Sequence, residues 1–397
     1  MTSNEQQDVL VLSGTRTAIG NYGGGLKDMP PCDLAATVVR EAVRRAGLPP
    51  GDVDHAVFGN VIHTEVRDMY LARVAAVNGG LPVSTPAFTL NRVCGSGLQA
   101  IVSAAQAIML GDADAAVAGG AESMSRGQYW VPGLRWGQRM GDGVTVDATT
   151  GAVTDPFESC HMGETAENVA GEFQVTRADQ DELAAESHRR AAAARSAGYF
   201  AEQITPVEVP GRTGSTTVDT DEHIREDVSA GGLAKLRPQF AEGGTVTAGN
   251  ASGINDAAAA VVLASAEYAG QHALTPLGRL VAYSHAGVEP RIMGIGPVPA
   301  TRKVLDRAGL KLDDIDVFEV NEAFAAQAVA VIRELGLPPD RTNPNGSGVS
   351  LGHPIAATGT ILTIKALYEL HRTGGRYALV TMCIGGGQGI AAIFERL

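Results

Sequence analysis

The chain repeats its own pattern of strands, turns and helices at an offset of about 260 residues, and this repeat strongly limits the folds open to it. The pattern of residues 54–59 is repeated at 314–319, and a glycine-rich turn at Cys94 has its counterpart at His353. Two related α/β halves that pack together, with a site between them, would satisfy this arrangement. The length of 397 residues allows two or three domains of ordinary size.

Both halves alternate short aliphatic runs with helical patterns, which is typical of a buried, largely parallel sheet. In the first half we expect Gly119 and Gly120 to end the last strand. The predicted strands are 9–12, 56–58, 88–90, 115–118, 317–320 and 377–382, and the predicted helices are 34–46, 97–110, 322–335 and 361–370.

Residues 125–247 differ in character from both halves, since glycine, proline and aromatic residues precede charged helical stretches. Thr176 and Asp179 have the spacing of a capping box that opens a polar helix over 180–196. The segment is long and has its own helices, so we expect an insertion folded over the core. The predicted domains are an N-terminal half of residues 1–124 and 248–275, a loop domain of 125–247, and a C-terminal half of 276–397.

Charge and cysteine content exclude several classes of protein. The formal net charge is -13, and no basic cluster suggests a nucleic-acid surface. The four cysteines, Cys32, Cys94, Cys160 and Cys383, lie far apart with no metal-ligand spacing, so neither a disulfide framework nor a zinc site is predicted. Residues 1–5 show no targeting signal, and no membrane span is predicted. We therefore expect a cytoplasmic protein with reduced thiols.

Two turns carry candidate catalytic side chains. Cys94 lies in Asn-Arg-Val-Cys-Gly-Ser-Gly, between a strand and a helix, where helix N–H groups would promote a thiolate. The alternative is a small buried apolar side chain. His353 lies in Ser-Leu-Gly-His-Pro, and it could instead be a capping or core histidine. Because the two turns occupy equivalent places in the repeat, we expect them to meet as nucleophile and base.

Two further positions follow predicted strands. Cys383 precedes Ile-Gly-Gly-Gly-Gln-Gly, a run that either forms a plain tight turn or offers backbone N–H groups to an oxyanion. Cys383 itself could act as a second reactive thiol, in acid–base work. Asn321 comes directly after the strand 317–320, at the end where α/β proteins place their ligands. Asn321 could equally cap the helix that follows.

With these residues in view, the chain resembles the thiolase family along almost its whole length, and most of all bacterial biosynthetic β-ketothiolases of the polyhydroxyalkanoate type. The resemblance rests on residues 91–97 (nucleophile motif), 321–324 (NEAF), 352–354 (GHP) and 383–387 (CxG), in the family's order. It implies a five-layered α/β/α/β/α fold whose inserted loop domain receives coenzyme A. It also implies a homotetramer with no metal and no tightly bound cofactor.

The activity implied by the resemblance is a reversible Claisen condensation of acyl-CoA with acetyl-CoA to a 3-ketoacyl-CoA, such as acetoacetyl-CoA or a somewhat longer homologue. Cys94 would attack the first thioester while His353 takes its proton, and Cys383 would remove an α-proton from the second. One oxyanion would be held by His353 with a water on Asn321. The other would be held by the backbone N–H groups of Cys94 and Gly385.

The resemblance further implies five coenzyme A contacts: Ser252, Ala248, His161, Met162 and Arg225. The chain departs from the family at two positions. Gly232 replaces a serine that some members place near the adenine. Ala356 stands where glycine usually follows the GHP motif. Its methyl is expected to lie close to His353, where it could shift the histidine or narrow the pocket.

Several alternatives remain open from the sequence. A degradative 3-ketoacyl-CoA thiolase of β-oxidation would use the same residues. A fatty-acid ketosynthase shares the fold, but it usually pairs one cysteine with two histidines. A catalytically silent acyl-CoA or lipid-binding protein is a third possibility. A nicotinamide-dependent oxidoreductase is the weakest, because the glycine run 346–352 places its third glycine one residue late for a dinucleotide fingerprint.

Overall fold

The structure is a computed structural model that describes residues 8–212 and 214–397. Residues 1–5, whose sequence predicts no targeting signal, lie outside the described residues. The first half begins with a fully buried strand and a helix that starts at Pro31 and ends at Gly47 in the left-handed conformation. Its elements are β1 (Val9–Arg16), β2 (Gly20–Asn21), α1 (Pro31–Ala46), β3 (His55–Gly59), α2 (Leu71–Asn78), β4 (Ala87–Leu90), α3 (Ser96–Leu110) and β5 (Ala115–Ser123).

The middle region contains short hairpins and two long helices. Its longer helix opens with the predicted capping box, in which Thr176 N donates to Asp179 at 2.8 Å and Asp179 N donates to the Thr176 hydroxyl at 3.2 Å. Its elements are β6 (Tyr129–Trp130), β7 (Val146–Asp147), α4 (Ala148–Ala152), α5 (Met162–Glu172), α6 (Arg177–Ser196), β8 (Val207–Gly211), β9 (Gly214–Val218) and α7 (Ala230–Leu233).

The chain then returns to the sheet. First come β10 (Asn255–Ser265) and α8 (Ala266–Gln271), and β10 pairs with both β1 and β5. The remaining elements are β11 (Gly278–Gly287), α9 (Pro297–Ala308), β12 (Val317–Val320), α10 (Ala325–Leu335), α11 (Gly348–Leu351), α12 (Thr358–Thr373), β13 (Tyr377–Ile384) and β14 (Gln388–Glu395).

The two halves have the same strand order, as the internal repeat predicts. The ten-stranded sheet runs β12-β13-β14-β11-β1-β10-β5-β3-β4, with β2 on β10. Read outward from the centre, β1-β10-β5-β3-β4 corresponds to β11-β14-β13-β12. The place of β4 in the second half is taken by a bridge between Phe318 and Thr342. The halves join where Val9–Val11 of β1 pair with β11.

Helices form the other three layers. α3 and α12 pack against each other and lie between the two half-sheets. α1 and α2 cover the outer face of the first half-sheet, and α9 covers that of the second, with α10 packed on α9. This gives the α/β/α/β/α layering. The apolar stretch Val93–Leu110 is long enough to cross a membrane by length and composition, but 61% of it is buried inside the protein as part of this central layer.

Two expectations about the sheet are wrong. The sheet is mixed rather than largely parallel, because among the described residues only the β12–β13, β3–β4 and β3–β5 ladders are parallel. A strand buried on both faces is apolar whatever the direction of its neighbours, so the sequence pattern carries no direction. Gly119 and Gly120 also do not end β5, which continues to Ser123. They instead admit close neighbours, since a side chain at Gly119 would overlap the Phe58 ring.

The helix predicted over 322–335 begins three residues later, at Ala325, and its N-cap is Phe324. Asn321 therefore does not cap this helix, and the capping alternative is wrong. Residues 321–324 instead form an irregular segment after β12, where Ala323 O accepts from Ser252 N at 3.0 Å. The Asn321 side chain, which caps no helix here, can therefore make other contacts.

Candidate active site

A cavity of about 520 Å³ lies between the two halves and the middle region, and Cys94 and His353 both line it. The predicted meeting of the two turns is therefore seen. All five residues predicted to contact coenzyme A line the same cavity: Ser252, Ala248, His161, Met162 and Arg225. A larger cavity of about 610 Å³ lies between α6 and α10, but none of the predicted site residues lines it.

The turn that presents Cys94 is built by its neighbours. Val93 has φ +46°, a left-handed conformation that is uncommon for a β-branched residue and is typical of functional sites. The Ser96 hydroxyl donates to Val93 O at 2.7 Å and accepts from Arg92 N at 2.8 Å, which closes the turn. Cys94 is only 6% exposed and packs beside Met124, Ile62 and Ile355.

The Cys94 thiol is protonated at rest. Burial raises its pKa to about 11, although hydrogen bonds from the backbone N–H groups of Gly385 and of Cys94 itself act in the opposite direction. The prediction that the helix terminus yields a thiolate is therefore wrong for the resting site. The physical reason is that α3 begins two residues later, at Ser96, and desolvation outweighs the two donors. The thiol consequently needs a base.

His353 is held as a neutral base, and burial lowers its pKa to about 4. Its Nδ1 lies 2.6 Å from the Thr358 hydroxyl, which itself donates to Pro354 O at 3.1 Å. Both contacts are satisfied when the hydroxyl donates its one hydrogen to Pro354 O and accepts from a protonated Nδ1. Nε2 is left with its lone pair, and it faces Asn321 Nδ2 at 3.4 Å.

Asn321 and Cys383 complete the buried part of the site. Asn321 is fully buried, and its Oδ1 has no hydrogen-bond partner among the described residues. Cys383 is fully buried near the end of β13, where burial and then the neighbouring Cys94 raise the pKa of its thiol. It packs against Met162, Met293 and Ala323.

His161 has a structural contact as well as a place on the cavity wall. It is the N-cap of α5, where its Nδ1 accepts from Gly163 N at 2.9 Å. Its ring stacks on Phe240 with 4.7 Å between ring centres. Desolvation lowers its pKa, so the ring is a neutral, flat surface beside the cavity. Phe240 and Phe324 also line the cavity.

Ala356 does not narrow the cavity as expected. The residue is fully buried, and the cavity is lined by its neighbour Ile355 instead. The Ala356 N–H donates to Glu122 at 3.1 Å, and its carbonyl oxygen lies where a side chain on Gly120 would be. Ala356 therefore belongs to the packing between the halves rather than to the pocket wall.

Three site-supporting residues are absent from the sequence predictions: Glu122, Asn255 and Thr358. Asn255 Oδ1 accepts from His353 N at 2.9 Å and so fixes the backbone of the turn. Glu122 had one available signal, since it follows the strand predicted at 115–118 at the same end as Asn321 follows its own strand. Asn255 gave no signal, because its partner His353 is distant along the chain. Thr358 gave none, because its contacts with His353 and Pro354 form only when the turn has folded.

Comparisons with known proteins agree with this geometry. The family model "Thiolase, N-terminal domain" matches residues 9–267, and "Thiolase, C-terminal domain" matches 274–396. Beta-ketothiolase BktB of Cupriavidus necator is 64% identical over 392 residues, which cover 98% of this chain and 100% of the relative. A crystal structure of the Bacillus anthracis acetyl-CoA acetyltransferase superposes with TM-score 0.98 at 45% identity, over 100% of both chains. Human mitochondrial 3-ketoacyl-CoA thiolase in complex with CoA gives 0.96 at 43%, over 99% of this chain and 98% of that one.

Proposed function

The chain belongs to the thiolase family, and on that basis we propose a role for each residue around Cys94 in the reversible condensation of an acyl-CoA with acetyl-CoA. The enzyme is an acyltransferase. The single observation that carries the proposal is that Cys94 and His353 line one cavity, where the backbone N–H groups of Cys94 and Gly385 favour negative charge at the Cys94 sulfur. Donors in this position can hold the oxyanion that forms when the sulfur attacks a carbonyl.

In the first half-reaction, Cys94 Sγ bonds to the thioester carbonyl carbon, and its proton passes to His353 Nε2. The tetrahedral oxyanion is held by the N–H groups of Cys94 and Gly385. It collapses by breaking the bond to the coenzyme A sulfur, and Cys383 gives its proton to that departing thiolate. The products are acyl-Cys94, free coenzyme A, protonated His353 and a Cys383 thiolate.

In the second half-reaction, the Cys383 thiolate takes an α-proton from acetyl-CoA. Its raised pKa suits this step, because a thiolate that holds protons tightly is the stronger base. The enolate oxygen is held by protonated His353 and by a water on Asn321, whose Oδ1 needs a donor. The enolate carbon then bonds to the acyl carbon, and the Cys94 thiolate leaves and recovers its proton from His353. Run backwards, the sequence is thiolysis.

We propose that coenzyme A binds along the cavity from Arg225 inward, with Ser252, Ala248, His161 and Met162 beside the pantetheine arm. Two observations support this: all five residues line the same cavity, and the basic Arg225 side chain at its rim suits phosphate groups. Coenzyme A enters as substrate and leaves as product. The proposed division into residues 1–124 with 248–275, 125–247 and 276–397 makes the middle domain the provider of most of these contacts.

The acyl group on Cys94 would lie among apolar side chains, including Met124, Val153 and Ile355. We propose that the enzyme makes and cleaves short 3-ketoacyl-CoA thioesters. The alternative is a degradative thiolase for long chains. Thiolysis of acetoacetyl-CoA, 3-ketovaleryl-CoA and longer homologues separates them, because the proposal predicts falling kcat/KM with chain length. Rising values would favour the degradative enzyme, and normal rates in both Cys94→Ser and Cys383→Ser would refute the mechanism.

We also propose a homotetramer. Within the part of the chain that the structure describes, strand β4 pairs only with β3 and leaves its outer edge open, and Phe88 on it is exposed. The segment after β6 exposes two large apolar side chains, Trp136 at 91% and Met140 at 87%. Patches of this kind mark interfaces between chains. Light scattering should give four chains per particle, with Trp136→Ser lowering that number, and a monomeric wild type would refute the proposal. A cytoplasmic location stays a prediction.

A further inference from the structure

A buried carboxyl group lies behind the two catalytic turns. Glu122 is fully buried near the end of β5, and its side chain does not line the cavity. No arginine or lysine forms an ion pair with it among the residues described by the structure. Burial of a carboxyl without an ion-pair partner lowers stability unless hydrogen bonds satisfy its oxygens. The hydrogen bonds of Glu122 therefore indicate its role.

The two oxygens of Glu122 hold different halves of the protein. Oε1 accepts from Ile62 N at 2.9 Å and from Asn60 Nδ2 at 3.2 Å, in the loop after β3. Oε2 accepts from Ala356 N at 3.1 Å, three residues after His353. One side chain therefore ties the turn of the proposed base to a loop of the half that carries Cys94.

The Ala356 peptide is fixed from its other side as well. Its carbonyl oxygen would lie 2.7 Å from a side chain built on Gly97, which is three residues after Cys94. A side chain on Gly120 would overlap the same oxygen. The Ala356 backbone is therefore held by Glu122 at its N–H and packed against two glycines at its carbonyl oxygen. These contacts join the His353 turn to the half of the protein that carries Cys94.

The charge of Glu122 also reaches the nucleophile. An ionised Glu122 raises the pKa of Cys94. Asp68, in the short helix after β3, is a charged group that faces Glu122 and raises its pKa. Burial raises the pKa of Glu122 to about 8, against the N–H donors that favour its charged form. As this carboxyl ionises, its charge opposes deprotonation of Cys94.

We propose that Glu122 is a positioning residue that holds the His353 turn against the Cys94 turn and places an ionisable carboxyl behind them. This inference rests on the proposed function, in which Cys94 is the nucleophile. Glutamine at this position has the same shape but only one acceptor oxygen, so one of the two held backbone groups loses its partner.

The test uses Glu122→Gln in the full-length protein with Cys160→Ser, since Cys160 is the partly exposed thiol. The pH dependence of Cys94 alkylation by iodoacetamide, measured by peptide mass spectrometry, should shift to lower pH than in the Cys160→Ser parent. The kcat for acetoacetyl-CoA thiolysis should fall by about tenfold, with KM for coenzyme A unchanged. Glu122→Asp, which keeps the charge on a shorter arm, should lower kcat but leave the alkylation profile near that of wild type.

Glu322→Gln is the matched control, because Glu322 is also a buried carboxyl held by neutral donors, Ser187 at 2.6 Å and Asn343 at 2.9 Å. It should leave the alkylation profile unchanged. The proposal is overturned if the alkylation profile of Glu122→Gln superimposes on that of wild type, or if its kcat lies within twofold of the wild-type value. If Glu122→Gln does not fold, Glu122→Asp takes its place. A wild-type kcat in Glu122→Asp would then overturn the proposal. Failure of acetyl-CoA to acylate Cys94 in the wild type would instead refute the proposed function.

Discussion

Replacing Thr358 by valine tests how His353 is prepared as a base. Valine keeps the shape of threonine but removes the hydroxyl that accepts from His353 Nδ1 at 2.6 Å. Either Nδ1–H is then buried without a partner, or the proton moves to Nε2 and blocks the lone pair that receives the Cys94 proton. An unsatisfied buried donor costs about 1–3 kcal/mol, which corresponds to a loss of kcat of roughly 5-fold to 150-fold.

The assay is steady-state thiolysis of acetoacetyl-CoA, followed by loss of substrate absorbance. KM for coenzyme A should stay the same, because Thr358 does not line the cavity. Thr358→Ser is the control: it retains the hydroxyl, so it should recover most of the wild-type kcat. Equal turnover of the valine and serine variants would show that Thr358 does not fix the His353 tautomer.

Three further predictions follow from the same contacts. Because burial lowers the pKa of His353 to about 4, kcat/KM should not fall near pH 6.5, where an ordinary histidine base becomes protonated. The fall on the acid side should appear only below about pH 5. A fall near pH 6.5 that is assigned to His353 would contradict this prediction. Gly120→Ala should lower the free energy of unfolding in urea by about 1–3 kcal/mol or more, since the methyl would overlap Ala356 O. The control Gly171→Ala, in open space on α5, should not destabilise the protein. Equal stabilities of the two variants would contradict the close packing at Gly120. Ala356→Gly should leave kcat unchanged or raise it, because the side chain does not reach the cavity, and a large loss of turnover would show that the methyl supports the turn.

Much of the fold was predictable because the repeat and the hydrophobic pattern act along the chain. The strand 317–320 and the capping box of α6 follow from local sequence, and the equivalent turns at Cys94 and His353 follow from the repeat. Strand direction was not predictable, because β10 is buried on both faces and its alanines and valines would suit either orientation.

The candidate site divides in the same way. Cys94, His353 and Cys383 are reactive types in glycine-rich turns, so the sequence points to them. Their protonation does not follow from the sequence, since it depends on how fully each is buried once the layers have packed. Glu122 needed the structure, because its partners come from residues 60–62 and from Ala356, far apart along the chain.

The most direct test of the account is the covalent intermediate on Cys94. Incubation with acetyl-CoA labelled in the acetyl group, followed by peptide mapping, should place about one label per chain on Cys94. The label should be absent from Cys94→Ser, should remain in Cys383→Ser, and should be released by added coenzyme A. Label on another residue, or no label on folded wild-type protein, would contradict the central claim.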